Sequence, residues 1–272
     1  MMPGPKLTLE DIEFLKNNRD KMSNRELAQT LGCSVHTIID KVRKYGLPLH
    51  KVSKYTPNEH YFDELTLENC YYGGFIAADG CIYPRYKQLS FELQIRDYTQ
   101  LLRFASLTEF GGKVYLKERP NRGWSAQMYV VCERWVEQLR HHFNIVPKKS
   151  LILQPPNLQD VNQILAYSIG YVDGDGTVGK YTNNLQNRTD WFVGASGTYE
   201  LLSFIKCAFD DLVPPVGKPA SVLGMRRGGQ LQAYRFIYQI RGKRAEHILS
   251  KLVSIDCPHL DRKWNKVREE LL

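Results

Sequence analysis

"YVDGDGTVG", at residues 171–179, stands where an apolar run with helical spacing over residues 164–172 comes to its end. The glycines of the stretch predict that the helix stops there. Asp173 and Asp175 would then lie at the carboxyl end of a helix, where the helix dipole favours cations over carboxylates. A single stretch of this kind has two interpretations, a plain Asp-Gly turn or a place where a metal ion offsets the negative charge.

The pattern occurs twice in the chain, because residues 71–83 read "YYGGFIAADGCIY". Aligning Asp79 with Asp175 also aligns Gly74 with Gly170. The similarity continues downstream, where each copy is followed by a strand, a turn, an amphipathic helix, further strand-like stretches and a closing helix. An internal repeat of this length predicts two halves built on one α/β plan.

The predicted halves span residues 61–155 and 156–272, and polar and apolar side chains alternate along their strands. In residues 88–96, the side chains predicted to face the core are Leu89, Phe91, Leu93 and Ile95. Val114 and Leu116 are predicted to do the same. A solvated sheet face also alternates, but the recurrence of Arg, Lys and Gln in both halves favours a surface that contacts base edges and phosphates of DNA. The side chains predicted to form it are Gln94, Arg96, Lys113, Lys117, Arg235, Gln239 and Arg241.

Residues 1–50 form a separate predicted module, joined to the repeats by a linker at residues 51–60. Ser23 opens a short capped helix, Gly32 supplies a turn, and Ser34 caps a second, basic helix. This order is typical of a helix-turn-helix, whose second helix enters the major groove of DNA, although a small protein-binding helical domain shows the same pattern. The side chains predicted to contact DNA are Ser34, His36, Thr37, Lys41 and Lys44.

The composition is compatible with a nucleic-acid partner. The formal net charge is +8 and the pI is about 9.1, which favours a polyanionic partner without requiring one. The six cysteines form no CxxC pair and no metal-finger spacing, so free thiols in a reducing compartment are predicted. Neither a signal peptide nor a run of about eighteen apolar residues is present, which predicts an intracellular protein, cytoplasmic or organellar, that is not secreted and not in a membrane.

The stretches "GGFIAADG" at residues 73–80 and "SIGYVDGDG" at residues 168–176 resemble the paired motifs of the LAGLIDADG homing endonucleases, in their single-chain form with two repeats. The resemblance implies an α/β (α+β) fold in which two pseudo-symmetric αββαββα repeats form a DNA-binding saddle, preceded here by the helix-turn-helix module. It also implies that the two motif helices pack against each other through small residues. Those predicted to lie in this helix interface are Gly73, Gly74, Ala77 and Gly170.

The resemblance further implies an enzyme that breaks both strands of a double-stranded DNA target and acts as a monomer. Asp79 and Asp175 would bind Mg²⁺, or Mn²⁺, with Ca²⁺ as a substitute that does not support cleavage. The carbonyl groups of Ala78 and Gly174 are implied as additional ligands. The basic residues implied beside the scissile phosphates are Lys149 and Lys263, with Lys148 as an alternative to Lys149.

The two halves differ at positions that bear on function. The first motif has Ala77 where the second has Asp173, a position that the family does not use as a metal ligand. Behind the metal positions, Gln94, Arg96 and Asp97 of the first half are matched with Ser196 and Gly197 of the second, which predicts unequal cleavage rates. Two other functions on this fold stay open, an RNA maturase and a transcription regulator. The presence of both aspartates and both lysines favours the nuclease.

Overall fold

A module of three short helices begins the described part of the chain. The computed structural model describes residues 7–19, 21–47, 55–120, 123–183, 188–227 and 230–272. The three helices are α1 (Leu9–Asn18), α2 (Asn24–Thr30) and α3 (Val35–Lys44). Their shared core consists of Leu15, Leu27, Ala28, Ile38 and Val42. The predicted capping by Ser23 and Ser34 is present, while contact of this module with DNA stays a prediction.

The predicted linker at residues 51–60 is described only in part, since residues 51–54 lie outside the described residues. Its second part belongs to the first repeat. The indole nitrogen of Trp135 donates a hydrogen bond to the carbonyl oxygen of Asn58 at 2.9 Å. Phe62, four residues after Asn58, is fully buried in the same core. The first repeat therefore begins before residue 61, because its core needs these residues as a cover.

Both repeats have the element order αββαββα, as predicted. The first consists of α4 (Leu67–Asp79), β1 (Gly80–Tyr83), β2 (Gln88–Gln94), α5 (Tyr98–Leu107), β3 (Tyr115–Arg119), β4 (Gly123–Val131) and α6 (Glu133–Phe143). The second consists of α7 (Val161–Asp175), β5 (Gly176–Asn183), β6 (Arg188–Gly197), α8 (Tyr199–Leu212), β7 (Leu223–Arg227), β8 (Gln230–Arg241) and α9 (Lys243–Leu252). A further helix, α10 (Asp261–Leu271), follows the second repeat, whereas a short 3-10 turn (Lys149–Leu151) follows the first. Among the described residues, no helix has the length and apolar character needed to cross a membrane.

Each repeat folds its four strands into one antiparallel sheet, with the orders β1-β2-β4-β3 and β5-β6-β8-β7. Leu89, Phe91 and Leu93 of β2 point into the core, as predicted. The prediction is wrong for Ile95 and Leu116. Ile95 is 41% exposed because β2 has already ended and the chain turns through a 3-10 helix, and Leu116 is 53% exposed because it lies on the edge strand β3.

The motif helices α4 and α7 touch through their backbones, which requires residues without a side chain at the closest points. A Cβ atom on Gly74 would lie 2.0 Å from the carbonyl oxygen of Tyr167, and one on Gly170 would lie 1.9 Å from that of Tyr71. The two contacts are reciprocal, since each glycine leaves the space that the backbone of the other helix fills. This close approach places Gly74 and Gly170 at the centre of the helix interface.

The other small residues of the motifs have different surroundings. A Cβ atom on Gly174 would lie 2.2 Å from the Cβ atom of Ala78, so the two helices remain in contact as far as their last turns. Gly73, predicted for this interface, faces α6 instead, because a Cβ atom on it would lie 2.7 Å from the ring of Phe143. One step along a helix turns a residue by about 100°, which moves Gly73 away from α7. Ala77 is buried and lines a cleft described below.

Candidate active site

Two carboxylates meet where the motif helices end. Asp79 and Asp175 are the last residues of α4 and α7, and the Oδ2 atom of Asp79 lies 3.2 Å from the position of a Cβ atom on Gly174. Both carboxyl groups reach solvent, but the surrounding protein removes part of their hydration and raises the pKa of each. Repulsion from Asp175 raises the pKa of Asp79 further. A cation bound between or beside these groups would relieve this unfavourable charge.

The carboxylates open into separate clefts, one on each side of the helix pair. The first cleft is lined by Asp79, Gly174 and Lys263, together with Gln94 and Arg96. The second cleft is lined by Asp175, Ala78 and Lys149, together with Ser196 and Arg235. Each cleft therefore combines the aspartate of one motif with the residue that precedes the aspartate in the other motif. This exchange between repeats cannot be seen in the sequence, because it follows from the way α4 and α7 cross.

The two predicted lysines lie in opposite clefts, and both are buried. Lys149 is 6% exposed, and its ammonium group donates to the carbonyl oxygen of Ala78 at 3.1 Å. Lys148 beside it is exposed, so Lys149 is the lysine that reaches the cleft. Lys263 is 7% exposed and contacts backbone carbonyl groups at the end of α7. Burial lowers the pKa of Lys149, and that of Lys263 to about 8, against the opposing effect of nearby carboxylates.

Asp173, the earlier acidic residue of the second motif, is a structural carboxylate. It is only 1% exposed, and burial raises its pKa to about 6. It accepts hydrogen bonds from the Tyr71 hydroxyl at 2.9 Å, the Leu260 amide at 2.8 Å and the Trp264 indole at 2.7 Å. These contacts connect α7 with α4 and with the start of α10. The motif alone could not predict them, because Leu260 and Trp264 are far from Asp173 in the sequence.

A second contact that the sequence did not predict joins the two repeats beside the first cleft. Arg262, in the first turn of α10, donates two hydrogen bonds to the carboxylate of Asp97 at 2.7 and 2.9 Å. Asp97 is 5% exposed, so the pair is shielded from solvent on the carboxylate side. A bidentate pair of this kind is directional as well as charged, and it orients the start of α10 against the first repeat.

The strand registers show how the two halves correspond behind the motif aspartates. The first glycine after each motif pairs with Phe91 in the first repeat and with Ala195 in the second. The residues that follow, Glu92 and Ser196, therefore correspond. Gln94, Arg96 and Asp97 line the cleft of Asp79, and Ser196 and Gly197 line the cleft of Asp175, which agrees with the predicted match. The first repeat has three residues between strand and helix where the second has one. The extra residues form the 3-10 turn that carries Asp97.

The solvent face of the second sheet carries basic residues that form no salt bridge with any described carboxylate. Arg235, Gln239 and Arg241 alternate along β8 with the buried Tyr238 and Ile240, as predicted. The Arg241 guanidinium donates to the Gln239 side-chain oxygen at 2.8 Å and lies 5.0 Å from the ring centre of Tyr181. Within the described residues, no carboxylate forms a salt bridge with Arg235 or Arg241. Both cations are thus available to a polyanion.

The corresponding face of the first sheet is more neutral. Arg119 forms two hydrogen bonds with Glu92, which also accepts one from Ser125 at 2.7 Å. Lys117 is exposed on β3, whereas Lys113 precedes that strand and so does not belong to the sheet face as predicted. The remaining predicted residues, Gln94 and Arg96, are exposed at the first cleft.

In the N-terminal module, the side chains predicted to contact DNA differ in the contacts that they make within the module. Ser34 caps α3 by accepting the Thr37 amide at 3.1 Å, and the two hydroxyl groups are 2.9 Å apart. His36 lies 3.7 Å from Asp40 on the surface of α3. The lysines of the prediction, Lys41 and Lys44, are half-buried and exposed respectively. Ser34 and Thr37 are therefore occupied by helix capping, while the cationic side of α3 remains open.

The donors in the two clefts fit a hard divalent cation such as Mg²⁺. Each cleft offers a carboxylate, Asp79 or Asp175, and the residue of the other motif whose carbonyl group was implied as a ligand. In the part of the chain that the structure describes, no group of three or more His, Cys, Asp or Glu side chains is placed to hold a metal. A Mg²⁺ ion would complete its coordination with water and with phosphate oxygens, which is how this ion usually binds at phosphate-processing sites.

Comparison with known proteins finds similarity only among solved structures. No family model and no curated protein matches the chain. The crystal structure of the LAGLIDADG homing endonuclease I-GzeII in complex with its DNA target is 11% identical, with a TM-score of 0.49 over 75% of this chain and 88% of that one. The LAGLIDADG homing endonuclease I-LtrWI bound to target DNA is 11% identical, with a TM-score of 0.47 over 79% and 90%.

Another solved structure similar to this chain is not named as an endonuclease. Full-length DUF199/WhiA from Thermatoga maritima is 14% identical, with a TM-score of 0.43 over 79% of this chain and 66% of that one. At TM-scores below 0.5 and at these identities, the similarity carries no weight for the function of this chain. The architecture stands on its own elements: two αββαββα repeats, each with one four-stranded antiparallel sheet, whose motif helices meet at paired glycines.

Proposed function

We propose that the chain is a site-specific DNA endonuclease that hydrolyses one phosphodiester bond in each strand of a long duplex target. The observation that carries the proposal is the pair of clefts at the ends of α4 and α7. Each holds a carboxylate, the residue that precedes the aspartate of the other repeat and a buried lysine, and the two clefts are related by the pseudo-symmetry of the repeats. Two sites of one plan on a single chain match the two strands of a duplex, so a monomer is sufficient.

Asp79 and Gly174 would hold one divalent ion, and Asp175 and Ala78 the other. A Mg²⁺ ion bound there supplies Lewis acidity, which lowers the pKa of water and stabilises charge on a phosphoryl oxygen. We expect Mn²⁺ to replace it and Ca²⁺ to bind without supporting cleavage. The protein's own contribution is to place the carboxylates where negative charge is unfavourable, so that a cation bound there would offset the charge and lower the pKa of both groups.

DNA binding is supported by the distribution of charge over the two sheets. The exposed cations of β8, Arg235 and Arg241, have no carboxylate partner within the described residues. Phosphate contacts of this kind position the duplex without reading its sequence, and they make affinity depend on salt. On the first sheet, Gln94 and Lys117 are exposed and able to contact base edges or phosphates. The basic helix α3 would extend the contacted site.

The test is cleavage of a randomised duplex DNA library, with Mg²⁺ and with EDTA, followed by sequencing of the cut ends. The proposal expects metal-dependent cuts at one recurring long site. Asp175→Asn should then abolish double-strand cleavage while DNA affinity stays within about threefold, because the substitution removes a metal ligand and keeps the shape. Asp211→Asn, at an exposed position of α8, is the matched control and should cleave normally.

The same experiment separates the other two functions from the nuclease. Specific retention of a duplex without cutting would overturn the nuclease and favour a transcription regulator, in which the N-terminal helices and the sheets bind DNA together. Retention of structured RNA alone would favour a maturase. If Asp175→Asn cut both strands as the wild type does, the proposed metal role of the second cleft would be wrong.

A further inference from the structure

The two buried lysines, which the sequence motif treats as equivalent, are held in different ways. The Lys263 ammonium group lies 2.7 Å from the carbonyl oxygen of Val172, 2.8 Å from that of Asp173 and 2.7 Å from that of Gly176. An ammonium group has three N–H donors and no more. All the hydrogen-bonding capacity of Lys263 is therefore committed to the protein backbone.

The carbonyl groups that Lys263 contacts explain why it is held there. They belong to the end of α7 and the residue that follows it, where the dipole is negative and the last carbonyl groups lack partners within the helix, although that of Val172 also accepts the amide of Gly176. A buried cation at this point satisfies the carbonyl groups and offsets the dipole. Lys263 thus acts as a side-chain cap on the helix that carries Asp175.

The helix that carries Lys263 is itself fixed from the other side. Asp173 accepts the amide of Leu260, just before α10, and the indole of Trp264, the residue that follows Lys263. Arg262, the residue that precedes Lys263, is bound to Asp97 in the first repeat. With both neighbours anchored, the start of α10 has little freedom to move the Lys263 ammonium group away from these carbonyl groups.

Lys149 has none of this support. Its ammonium group has a single hydrogen bond, to the carbonyl oxygen of Ala78 at 3.1 Å, among the residues that the structure describes. It stands on a three-residue 3-10 turn rather than on a helix. The first motif has Ala77 in place of Asp173, so it lacks a carboxylate that could anchor this turn. Two of the three donors of Lys149 are therefore free to contact a phosphate or a water in the second cleft.

The arginines of the two clefts are distributed more evenly than the lysines. In the first cleft, Arg262 is bound to Asp97 and Arg119 to Glu92, which leaves Arg96 without a carboxylate partner in the described parts of the chain. In the second cleft, Arg235 is free of such a partner and lies close enough to lower the pKa of Asp175. Each cleft thus has one arginine without a carboxylate partner among the described residues, so the difference between the clefts lies in their lysines.

We infer that Lys263 is a positioning residue that holds the end of α7, and that Lys149 alone donates directly to the reacting groups. Resting on the proposed function, this inference makes the two clefts unequal. The DNA strand at the second cleft is cut first, and a duplex nicked in that strand accumulates before the second cut.

The test compares Lys149→Met with Lys263→Met, which remove the same charge and keep a side chain of similar length. Thermal unfolding is measured on the free proteins, and cleavage is measured with each strand labelled separately on the target selected by the wild type. We expect Lys149→Met to melt within about 2 °C of the wild type, and Lys263→Met to melt about 4–8 °C lower, since it leaves carbonyl groups without partners. Lys149→Met should slow one strand by roughly 10²-fold or more, the effect of removing a direct donor.

The strand that Lys149→Met spares should be the strand that the wild type cuts second. This order is measured on the wild type alone, so it remains informative if Lys263→Met does not fold. The inference is overturned by equal wild-type rates on both strands. It is also overturned if Lys263→Met melts like the wild type and slows the other strand as strongly as Lys149→Met slows its own. If the wild type cuts neither strand, the proposed function fails, while the melting temperatures still decide whether Lys263 is a structural cap.

Discussion

Gly170→Ala is the substitution for which the structure makes the strongest statement about stability. A Cβ atom at this position would lie 1.9 Å from the carbonyl oxygen of Tyr71, and real Cβ atoms essentially never approach closer than 3.0 Å. The two helices would have to separate by about 1.1 Å at their closest point. The atom in the way is backbone, so no side chain can turn aside to accommodate the methyl group. We expect the free energy of unfolding to fall by roughly 3 kcal/mol, the upper part of the range for overpacked cores.

The assay is thermal or urea-induced unfolding of the wild type and the variant. A loss of roughly 3 kcal/mol corresponds to a melting temperature lower by about 6–12 °C in a protein of this size. Gly111→Ala is the control, because its Cβ atom would meet only the Tyr55 ring, at an ordinary contact distance of 3.6 Å. A Gly170→Ala protein as stable as the Gly111→Ala protein would refute the contact between α4 and α7 at this point.

Two more predictions concern the acidic residues of the motifs. Asp79 has a pKa of about 7 in the folded protein against 3.8 normally, so the folded state binds the proton more tightly and loses stability as pH rises from about 4 to 7. The melting temperature of the metal-free wild type should fall across this range, and Asp79→Asn should reduce the fall; an equal slope in both proteins would contradict the shift. Asp173→Ala leaves the indole of Trp264 and the amide of Leu260 buried without an acceptor. Urea denaturation should show a loss of about 3–5 kcal/mol, and a loss below about 1 kcal/mol would show that this carboxylate does not anchor α10.

Local sequence patterns predicted the helices and strands well, but not which elements pack against them. The alternation in β2 correctly placed Leu89 and Phe91 in the core, because their side chains point towards the helices. The same alternation failed for Leu116. A period of two predicts which face of the sheet a side chain points to, but not whether another element packs against that face. Gly73 failed for a related reason: its small size suggested a helix contact, but only the rotation of α4 determines which neighbour it meets.

The sequence by itself determined the two-repeat plan, the helices that end at Asp79 and Asp175, and the paired glycines. These features are local or repeated, so spacing and residue type are enough to reveal them. Only the tertiary structure decided that each cleft combines residues of both repeats. It also decided that Lys263 donates three hydrogen bonds to carbonyl groups, while Lys149 donates one within the described residues. Those outcomes depend on how two helices cross and where α10 docks. Contacts between residues so distant in the chain cannot be predicted from the periodicity of the sequence.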